Sequence, residues 1–360
     1  MTFPKITIGL DVGDRYSQIF AVDDEGEVIE EGRLPTTQAA LQHRFSGMER
    51  VRIVLEVGTH SPWMSRLLTE LGHEVLVANP RALHRRREDK NDAIDAESLA
   101  RWGRSDPRML RPVQHRGEET QIALAYVRAR DRMVATRTKL INHVRGAVKS
   151  LGSRIPKCSA EVFHTRAITH IPSGLKPALK PVLQTIAGLT KTLRQYERTL
   201  LRQCKERYPD TARLTQVRGV GVVTALTFVL VLEDPHRFRS SRSTGAFVGL
   251  KPRQHDSGQS QPQLAISKRG DELLRKLLVQ CGQYLPGPLG PDCDLRRWGL
   301  RLAERGGKRR SEEAGGRGRG AQAGGAAARV VDQWCRVRAP AAQYGSGRLI
   351  RSTLPGTSTP

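Results

Sequence analysis

The stretch ITIGLDVGDRYSQIFAVDDEGEVIEEGRL, residues 6–34, decides the fold of this chain. Apolar and polar residues alternate along residues 6–13, and this two-residue period is typical of a β-strand with one buried face. Residues 16–34 predict two further strands around an Asp-Asp-Glu-Gly turn. Because the connections between these strands are short, they predict an antiparallel meander.

Strand and helix patterns alternate after this meander. VRIVLEVG (51–58) and HEVLVANP (73–80) predict strands, and the helix predicted between them has Ser61 as its N-cap and a proline at its first position. NDAIDAESLARWGR (91–104) predicts a second helix. A three-strand meander followed by β-α-β-α is the layout of the ribonuclease H-like α/β fold, whose central parallel strands carry catalytic acids at their ends. We therefore expect such a domain over residues 1–115.

Two long helical stretches follow. Apolar residues recur at helical spacing along residues 118–150 while Arg and Lys occupy the other faces, and residues 179–208 repeat the pattern after a break near Ile171–Gly174. These helices are predicted to pack as an antiparallel pair, in a helical, coiled-coil region over residues 116–208. Both an ordinary amphipathic core pair and an extended arm used for dimerisation are compatible with the pattern.

A mostly α-helical domain is predicted for residues 209–307. Near its start, Arg218 precedes Gly219-Val220-Gly221 between two helical segments, a pattern typical of a helix-hairpin-helix whose glycine turn lets backbone N–H groups approach a phosphate. A tight connection without any anion is the commoner reason for a Gly-x-Gly turn. Beyond this domain, residues 308–360 lose apolar periodicity and are rich in Gly, Ala and Arg, so we expect disorder there.

The charge of the chain predicts a polyanionic partner. There are 60 Lys and Arg against 36 Asp and Glu, a formal net charge of +24, and the basic residues occur in every region. Nucleic acid is the simplest partner because each bound phosphate releases condensed counterions. A merely soluble basic protein is the alternative. A membrane surface is a weaker candidate because no basic amphipathic helix with an aromatic face is visible.

The N-terminal residues, the longest apolar run and the spacing of the cysteines indicate where the protein is located and the state of its cysteines. Met1 leads almost directly into a strand pattern, and the longest apolar run, residues 222–232, is shorter than the about 20 residues that span a bilayer. We therefore expect a cytoplasmic protein. The five cysteines are scattered and form no CxxC pair, which argues against a zinc ribbon or a disulfide framework.

Four acidic residues lie where the predicted fold would build a site. Asp11 is on the first strand, Glu56 is near the end of the fourth, and Asp92 and Asp95 are three positions apart on the next helix, so both can face one way. Such a cluster repels itself unless a divalent cation compensates it, and Mg²⁺ (or Mn²⁺) accepts oxygen ligands and supports phosphodiester chemistry. The alternative is that Asp92 is an N-cap and Asp95 a favourable first-turn charge.

Together these motifs resemble the insertion-sequence 110 family of transposases. IGLDVG, VLEVGTHSPW and LVANPRALHRRREDKNDAIDAESLA occur in the family's order, followed by VRGVGVVTALTFVLVLEDPHRF, GLKPRQHDSG and ISKRGDELLRKLL, over residues 5–307. The resemblance implies an N-terminal domain similar to RuvC-like Holliday-junction resolvases with an Asp-Glu-Asp-Asp tetrad, and a helical transposase domain with a catalytic serine. Characterised members use a bridge RNA that pairs with target and donor DNA.

Carried over to this chain, the resemblance implies that Asp11, Glu56, Asp92 and Asp95 are the tetrad and that Ser257, in HDSG, is the nucleophile. A serine hydroxyl needs a nearby base or metal to attack. The implied reaction is attack of Ser257 on a DNA phosphodiester beside the tetrad of the same or a partner subunit, giving a phosphoserine link that strand exchange resolves. A homodimer or tetramer is therefore expected. The basic residues that flank the serine loop and would hold phosphates are Lys251, Arg253, Lys268 and Arg269.

This chain departs from the family pattern in two places. Where the family usually has Ser-Ser-Gly-Gly-Lys, it has Asp256-Ser257-Gly258-Gln259-Ser260, which adds an acid beside the proposed nucleophile and loses a lysine. The apolar C-terminal helix of the family is replaced by the Gly/Arg/Ala tract. We hypothesise a frameshift near Lys308–Ser311, and loss of the helix would expose its packing partners around Leu273–Val279 and lower stability.

Two alternatives to an RNA-guided recombinase stay open. In the first, the protein is a metal-dependent nuclease or junction resolvase in which water attacks and Ser257 is dispensable. In the second, it is an inactive remnant that still binds nucleic acid through its basic surface, and its binding depends on salt but not on Mg²⁺.

Overall fold

The computed structural model describes residues 4–80, 92–238, 241–254, 257–258, 264–285, 287–288 and 290–301 of the 360-residue chain. Two compact units are present: a first unit, residues 1–117, and a second unit, residues 118–360. The boundary between them lies two residues from the domain end expected at residue 115. The predicted tail, residues 308–360, and the proposed frameshift point lie outside the described residues.

The first unit is built on a five-stranded mixed sheet with the order β3-β2-β1-β4-β5. β1 and β2 pair antiparallel, as do β2 and β3, whereas β1 pairs parallel with β4 and β4 with β5. The meander and its parallel continuation agree with the sequence pattern, and assignment to the ribonuclease H-like fold stays a prediction. The strands are β1 (Thr7–Val12), β2 (Tyr16–Val22), β3 (Val28–Pro35), β4 (Arg52–Glu56) and β5 (Glu74–Ala78).

Helices cover both faces of this sheet. On one face, α1 (Gln38–Phe45) and α2 (Ser61–Glu70) bury their apolar residues against Ile8 and Leu10 of β1 and Ile53 and Leu55 of β4, and these residues form one core. The opposite face is covered by α3 (Asp92–Ser105). Burial on both faces explains the continuous apolar run Ile53–Leu55 of β4. In β1, where the alternation indicated one buried face, Thr7 and Gly9 on the other face are buried as well.

The second unit begins with two long antiparallel helices, α4 (Glu118–Ser150) and α6 (Lys176–Glu206), with the short helix α5 (Phe163–Ala167) between them. Arg130 of α4 donates to Glu197 of α6, and Arg137 of α4 donates to Thr190 of α6. The residue numbers of the contacts rise along α4 and fall along α6, so the two helices run in opposite directions. The predicted antiparallel pair is therefore confirmed. Use of the pair as a coiled-coil arm stays a prediction.

Shorter helices complete the second unit. Eight of the 11 residues of α8 are buried, and this helix shares one core with Ala123, Leu124 and Val127 of α4. A continuous core therefore crosses the boundary expected at residue 208. In the described part of the chain, no helix is both long enough and apolar enough to span a membrane. The shorter helices are α7 (Asp210–Thr215), α8 (Val222–Leu232), α9 (Ser241–Val248) and α10 (Glu272–Tyr284), and residues 294–301 are also helical.

Candidate active site and nucleic-acid interface

Asp11 and Glu56 are neighbours at the carboxyl ends of two parallel strands. Leu10 of β1 lies opposite Leu55 of β4, so the next residue of each strand brings the two acids side by side. Backbones of paired strands are about 4.8 Å apart. Both side chains are partly buried. The sequence-based expectation that these two strands are neighbours is therefore confirmed.

The two acids face the side of the sheet that α3 covers. Residues of a strand alternate between faces, so Asp11 shares its face with Gly9, and Glu56 shares its face with Val54. Val54 packs in a cluster with Leu99 of α3. The acids therefore lie on the α3 side of the sheet, away from the core formed with α1 and α2.

α3 crosses β1 at backbone contact distance. A Cβ placed on Gly9 would lie 2.0 Å from the carbonyl oxygen of Ala96 and 2.7 Å from the amide nitrogen of Ala100, so only glycine leaves room for the helix. Further along α3, a Cβ on Gly103 would lie 3.3 Å from the methyl carbon of Thr7, at the start of β1, and 2.4 Å from a methyl carbon of Val54. α3 therefore runs antiparallel to β1, and its N-terminal end points toward the carboxyl end of that strand, where Asp11 lies.

Asp95 precedes Ala96 directly and is partly buried. Asp92 is the first residue of α3, about one helical turn before Asp95, and its side chain lies outside the described part of the structure, as do residues 81–91. Among the side chains that are described, no group of three or more His, Cys, Asp or Glu residues is placed to hold a metal ion. The structure thus brings Asp11 and Glu56 together beneath the helix that carries Asp95, and the complete ligand set stays a prediction.

Arg52 anchors the other end of α3 to the sheet. This buried side chain donates to both carboxylate oxygens of Glu74 on β5, and its Nη1 donates to the carbonyl oxygen of Gly103 at 3.0 Å. Arg104 of α3 also donates to the carbonyl oxygen of Asp24, in the turn between β2 and β3. These contacts fix the direction of α3 and therefore the position of its acidic first turn.

The loops that follow β1 and β4 are joined by His60. The indole Nε1–H of Trp63 donates to His60 Nδ1 at 3.1 Å, and Nε2 of the same imidazole lies 3.3 Å from Asp14 Oδ1. Because an indole nitrogen only donates, Nδ1 must be the acceptor, and the neutral ring carries its proton on Nε2. His60 therefore donates to Asp14 and ties the two loops together beside the acid pair.

Ser61 is fully buried beneath the loop that follows Glu56. Its Oγ donates to the carbonyl oxygen of Gly58 at 2.9 Å and lies 2.8 Å from Nε2 of His115. Burial lowers the pKa of His115, and the positive charges of Arg66 and Arg116 lower it further. Ser61 is the first residue of α2 and His60 its N-cap, one position earlier than expected, because the Ser61 hydroxyl bonds within its own loop instead of capping the helix.

Ser257 lies in a loop whose two ends pair as a hairpin. The amide of Arg253 donates to the carbonyl oxygen of Ala265, and the amide of Ser267 donates to the carbonyl oxygen of Lys251. These two hydrogen bonds flank an isolated antiparallel bridge between Pro252 and Ile266. Ser257 and Gly258 are exposed, whereas Asp256, Gln259 and Ser260 lie outside the described residues. The loop predicted between two helices is thus present, with a hairpin base that its sequence did not reveal.

Two glycines close the neck of this hairpin. A Cβ on Gly249 would lie 1.8 Å from the carbonyl oxygen of Arg269, and one on Gly270 would lie 1.9 Å from that of Phe247. Both glycines have positive φ angles of about 80°, which side-chain-bearing residues rarely adopt. Arg275 of α10 donates to the carbonyl oxygens of Val248 and Arg269 and joins both sides of the neck. We call residues 249–270 the serine hairpin.

The predicted phosphate contacts are exposed in the second unit. At the glycine turn, Arg218 is exposed and Gly221 has open space around its backbone at the start of α8. Gly219 has φ +85° and packs against the ring of Tyr284, so it has a structural role in the turn. The exposed basic residues of the serine hairpin are Lys251, Arg253, Lys268 and Arg269.

Two polar residues beside the acid pair were missed by the sequence analysis. Gln18 of β2 pairs with Asp11, and Arg33 of β3 pairs with Gln18, so the row formed by Asp11 and Glu56 extends across the meander. The alternation within residues 16–34 showed that these strands exist. Their register depends on the turns, and a shift by one residue would have moved Gln18 and Arg33 to the other face.

Known proteins resemble this chain along most of its length. Residues 8–152 match a family model for IS110 transposases of the DEDD type, and residues 211–285 match one described as transposase IS116/IS110/IS902 family. The transposase for insertion sequence element IS1111A of Coxiella burnetii is 30% identical over 314 residues, 84% of each chain. The transposase for insertion sequence element IS1328 of Yersinia enterocolitica is 30% identical over 286 residues, 78% of this chain and 84% of the relative. A probable family 20 transposase of Pseudomonas aeruginosa is 29% identical over 306 residues.

Proposed function

The chain belongs to the IS110 family of transposases, and from this premise we propose that it cuts and rejoins DNA at the acid-lined edge of its first unit. Its role is that of the transposase of an insertion sequence, with DNA as its substrate. The observation that supports the proposed site is the parallel pairing of β1 and β4, which sets Asp11 beside Glu56 under the start of α3.

Asp11, Glu56, Asp92 and Asp95 would hold one or two Mg²⁺ ions, or Mn²⁺ in their place. Carboxylate oxygens are the ligands that these ions prefer, and two acids on neighbouring strands repel each other unless a cation lies close by. When bound, the metal supplies charge stabilisation to the oxygens of a phosphodiester. The chain's own contribution is to hold Asp11 and Glu56 side by side and to fix the helix that bears Asp95.

Ser257 is the proposed nucleophile. Its exposed hydroxyl would lose its proton and attack the DNA phosphorus, and the bond from phosphorus to one deoxyribose oxygen would break. That oxygen would leave as a protonated hydroxyl end of the DNA, and the protein would stay linked to the other end through a phosphoserine ester. Support comes from the position of Ser257 at an exposed turn, with basic residues at both ends of the same hairpin to bind phosphate. We further propose that a bridge RNA guides the reaction and that two or four copies of the chain act together.

The test uses the full-length protein with paired DNA substrates and the RNA transcribed from the DNA that flanks the gene. We expect strand cleavage that requires Mg²⁺ and is abolished by chelation. Asp11→Asn should reduce cleavage at least 100-fold because one ligand loses its charge. The matched control is Asp24→Asn, an exposed acid in the β2–β3 turn at the opposite edge of the sheet, which should cut like the wild type.

A second readout separates the serine mechanism from hydrolysis. Ser257→Ala should abolish the covalent protein–DNA adduct, while Ser267→Ala, in the base of the same hairpin, should preserve it. If Ser257→Ala cuts as fast as the wild type, water is the nucleophile and the protein acts as a resolvase-type nuclease. If no substrate is cut and Asp11→Asn changes nothing, the chain is a nucleic-acid-binding remnant and the proposed chemistry is wrong.

A further inference from the structure

A row of polar residues crosses four strands of the first unit. Register places Gln18 opposite Asp11 and Arg33 opposite Gln18, and Glu56 continues the row on the other side of Asp11. Residues that pair across strands share a face of the sheet. This row therefore lies on the same face as the acid pair, and two strand spacings, about 10 Å, separate the backbones of Asp11 and Arg33.

Tyr16 is placed on this face beside the row. On β2, Tyr16 lies two residues before Gln18 and four residues before Phe20. Phe20 packs against Ala96 and Ala100 of α3. Strand alternation therefore puts Tyr16 on the α3 side as well. Because Ser17 pairs with Val12, the last residue of β1, Tyr16 lies at the carboxyl edge of that strand, near the acids.

The ring of Tyr16 and the guanidinium of Arg33 form one exposed surface. The Arg33 guanidinium carbon lies 5.0 Å from the ring centre, within cation–π distance. Tyr16 is 52% exposed, and Arg33 is exposed too. An aromatic side chain of this size is usually buried on a sheet face, whereas Tyr16 is half exposed, with the Arg33 guanidinium over one face of its ring. The rest of the ring is open to solvent and is the part that can stack on a base.

We propose that Tyr16 and Arg33 bind the DNA strand next to the phosphodiester that is cut, with Arg33 on a phosphate and Tyr16 stacked on an unpaired base. This inference rests on the proposed function, because it assigns the path by which the DNA strand reaches Asp11 and Glu56. Guanidinium groups bind phosphate through charge-assisted hydrogen bonds, and exposed rings stack on bases of any sequence.

Both side chains are positioning residues. The guanidinium of Arg33 only donates hydrogen bonds, so it cannot be a metal ligand, and its backbone lies about two strand spacings from Asp11. Their loss should therefore weaken substrate binding and raise KM much more than it lowers kcat. A residue that only stabilised the sheet would instead change the unfolding midpoint and leave the affinity for DNA unchanged.

The first experiment measures binding of a fluorescent single-stranded DNA to the full-length protein at several salt concentrations. Tyr16→Ala should weaken binding about 5- to 150-fold, the range found for loss of one stacked base, and Tyr16→Phe should keep most of the affinity. Arg33→Gln should weaken binding and reduce the slope of log K against log salt by about one. The control Arg50→Gln removes an exposed arginine just before β4, at the opposite edge of the sheet, and should bind like the wild type.

The second experiment locates the contact. Oligonucleotides that carry 5-bromodeoxyuridine near the cut position are cross-linked by light, and the attached peptide is identified by mass spectrometry. A DNA cross-link within residues 15–34 supports the proposal. If Tyr16→Ala and Arg33→Gln bind and cross-link like the wild type while the wild type still cuts DNA, the inference is wrong and the proposed function stands. Cross-linking of an RNA of the same sequence but not of the DNA would also overturn it.

Discussion

The carbonyl oxygen of Ala96 occupies the space that a side chain on Gly9 would need, at 2.0 Å from the position of its Cβ. α3 thus lies against the backbone of β1, and the first turn of α3, which carries Asp95, lies toward the edge of the sheet where Asp11 ends β1. A larger residue at position 9 would lift the helix away from the sheet. The glycine of the IGLDVG motif therefore acts on the candidate site through packing.

Gly9→Ala should destabilise the first unit by about 1–3 kcal/mol, because the added methyl group meets helix backbone that has no free rotation to avoid it. Because the chain has two units, unfolding of the whole chain does not report on the first unit alone. Hydrogen exchange of peptides from β1 and β4 measures the stability of that unit directly. The control is Gly32→Ala on β3, where a Cβ has no neighbour within 4 Å. Equal protection in the two variants would contradict the close contact.

Arg52→Met should destabilise the first unit by about 3 kcal/mol. The substitution leaves Glu74 without its buried cation and the carbonyl oxygen of Gly103 without its donor. The matched substitution Arg108→Met removes an arginine whose side chain is 93% exposed and should change stability by less than about 0.5 kcal/mol. Urea unfolding of both variants measures the difference, and similar midpoints would show that the Arg52 contacts contribute little.

The first unit should lose stability as the pH falls below the ordinary His pKa of 6.5. Burial and nearby arginines lower the pKa of His115, so below pH 6.5 the unfolded chain binds more protons than the folded chain. The contribution of His115 is complete above pH 6.5 and is lost as the pH falls through its lowered pKa.

His115→Gln tests this titration, because glutamine retains an N–H donor for Ser61 Oγ and does not titrate in this range. Between pH 7.5 and pH 5, urea midpoints followed by hydrogen exchange should fall less in the variant than in the wild type. An equal fall would assign the pH dependence to other groups.

Asp271 should show two separable contributions at the start of α10. Its side chain caps the helix by accepting from the amide of Leu274 at 2.9 Å, and it also accepts from Arg128 of α4 at 3.0 Å. Asp271→Asn keeps the cap and loses the charge, so it should cost about 1 kcal/mol or less, whereas Asp271→Ala loses both and should cost about 2 kcal/mol. If the two variants unfold at the same midpoint, capping is not the main role of Asp271.

The elements with strong periodicity could be predicted from the sequence, since β1, β4 and the long helices α4 and α6 bury regular apolar stripes. α1 was missed because only Leu41 and Phe45 of it are buried, which leaves almost no pattern. The neighbouring positions of Asp11 and Glu56 followed from strand order. The row that continues to Gln18 and Arg33, however, depends on register, which no local pattern reveals.

The close approach at the neck of the serine hairpin also has a consequence for how relatives of this protein diverge. Gly249 and Gly270 seal the neck against backbone on both sides, and just inside it Leu250 and Ile266 still pack in the core of the second unit, so the insert on the helical scaffold begins beyond these two residues. The entropy of closing such a segment rises only slowly with its length. We therefore expect the chain between Leu250 and Ile266 to accept changes in length on either side of Ser257 without disturbing the core below it, whereas exchange of the whole segment would also remove the proposed nucleophile.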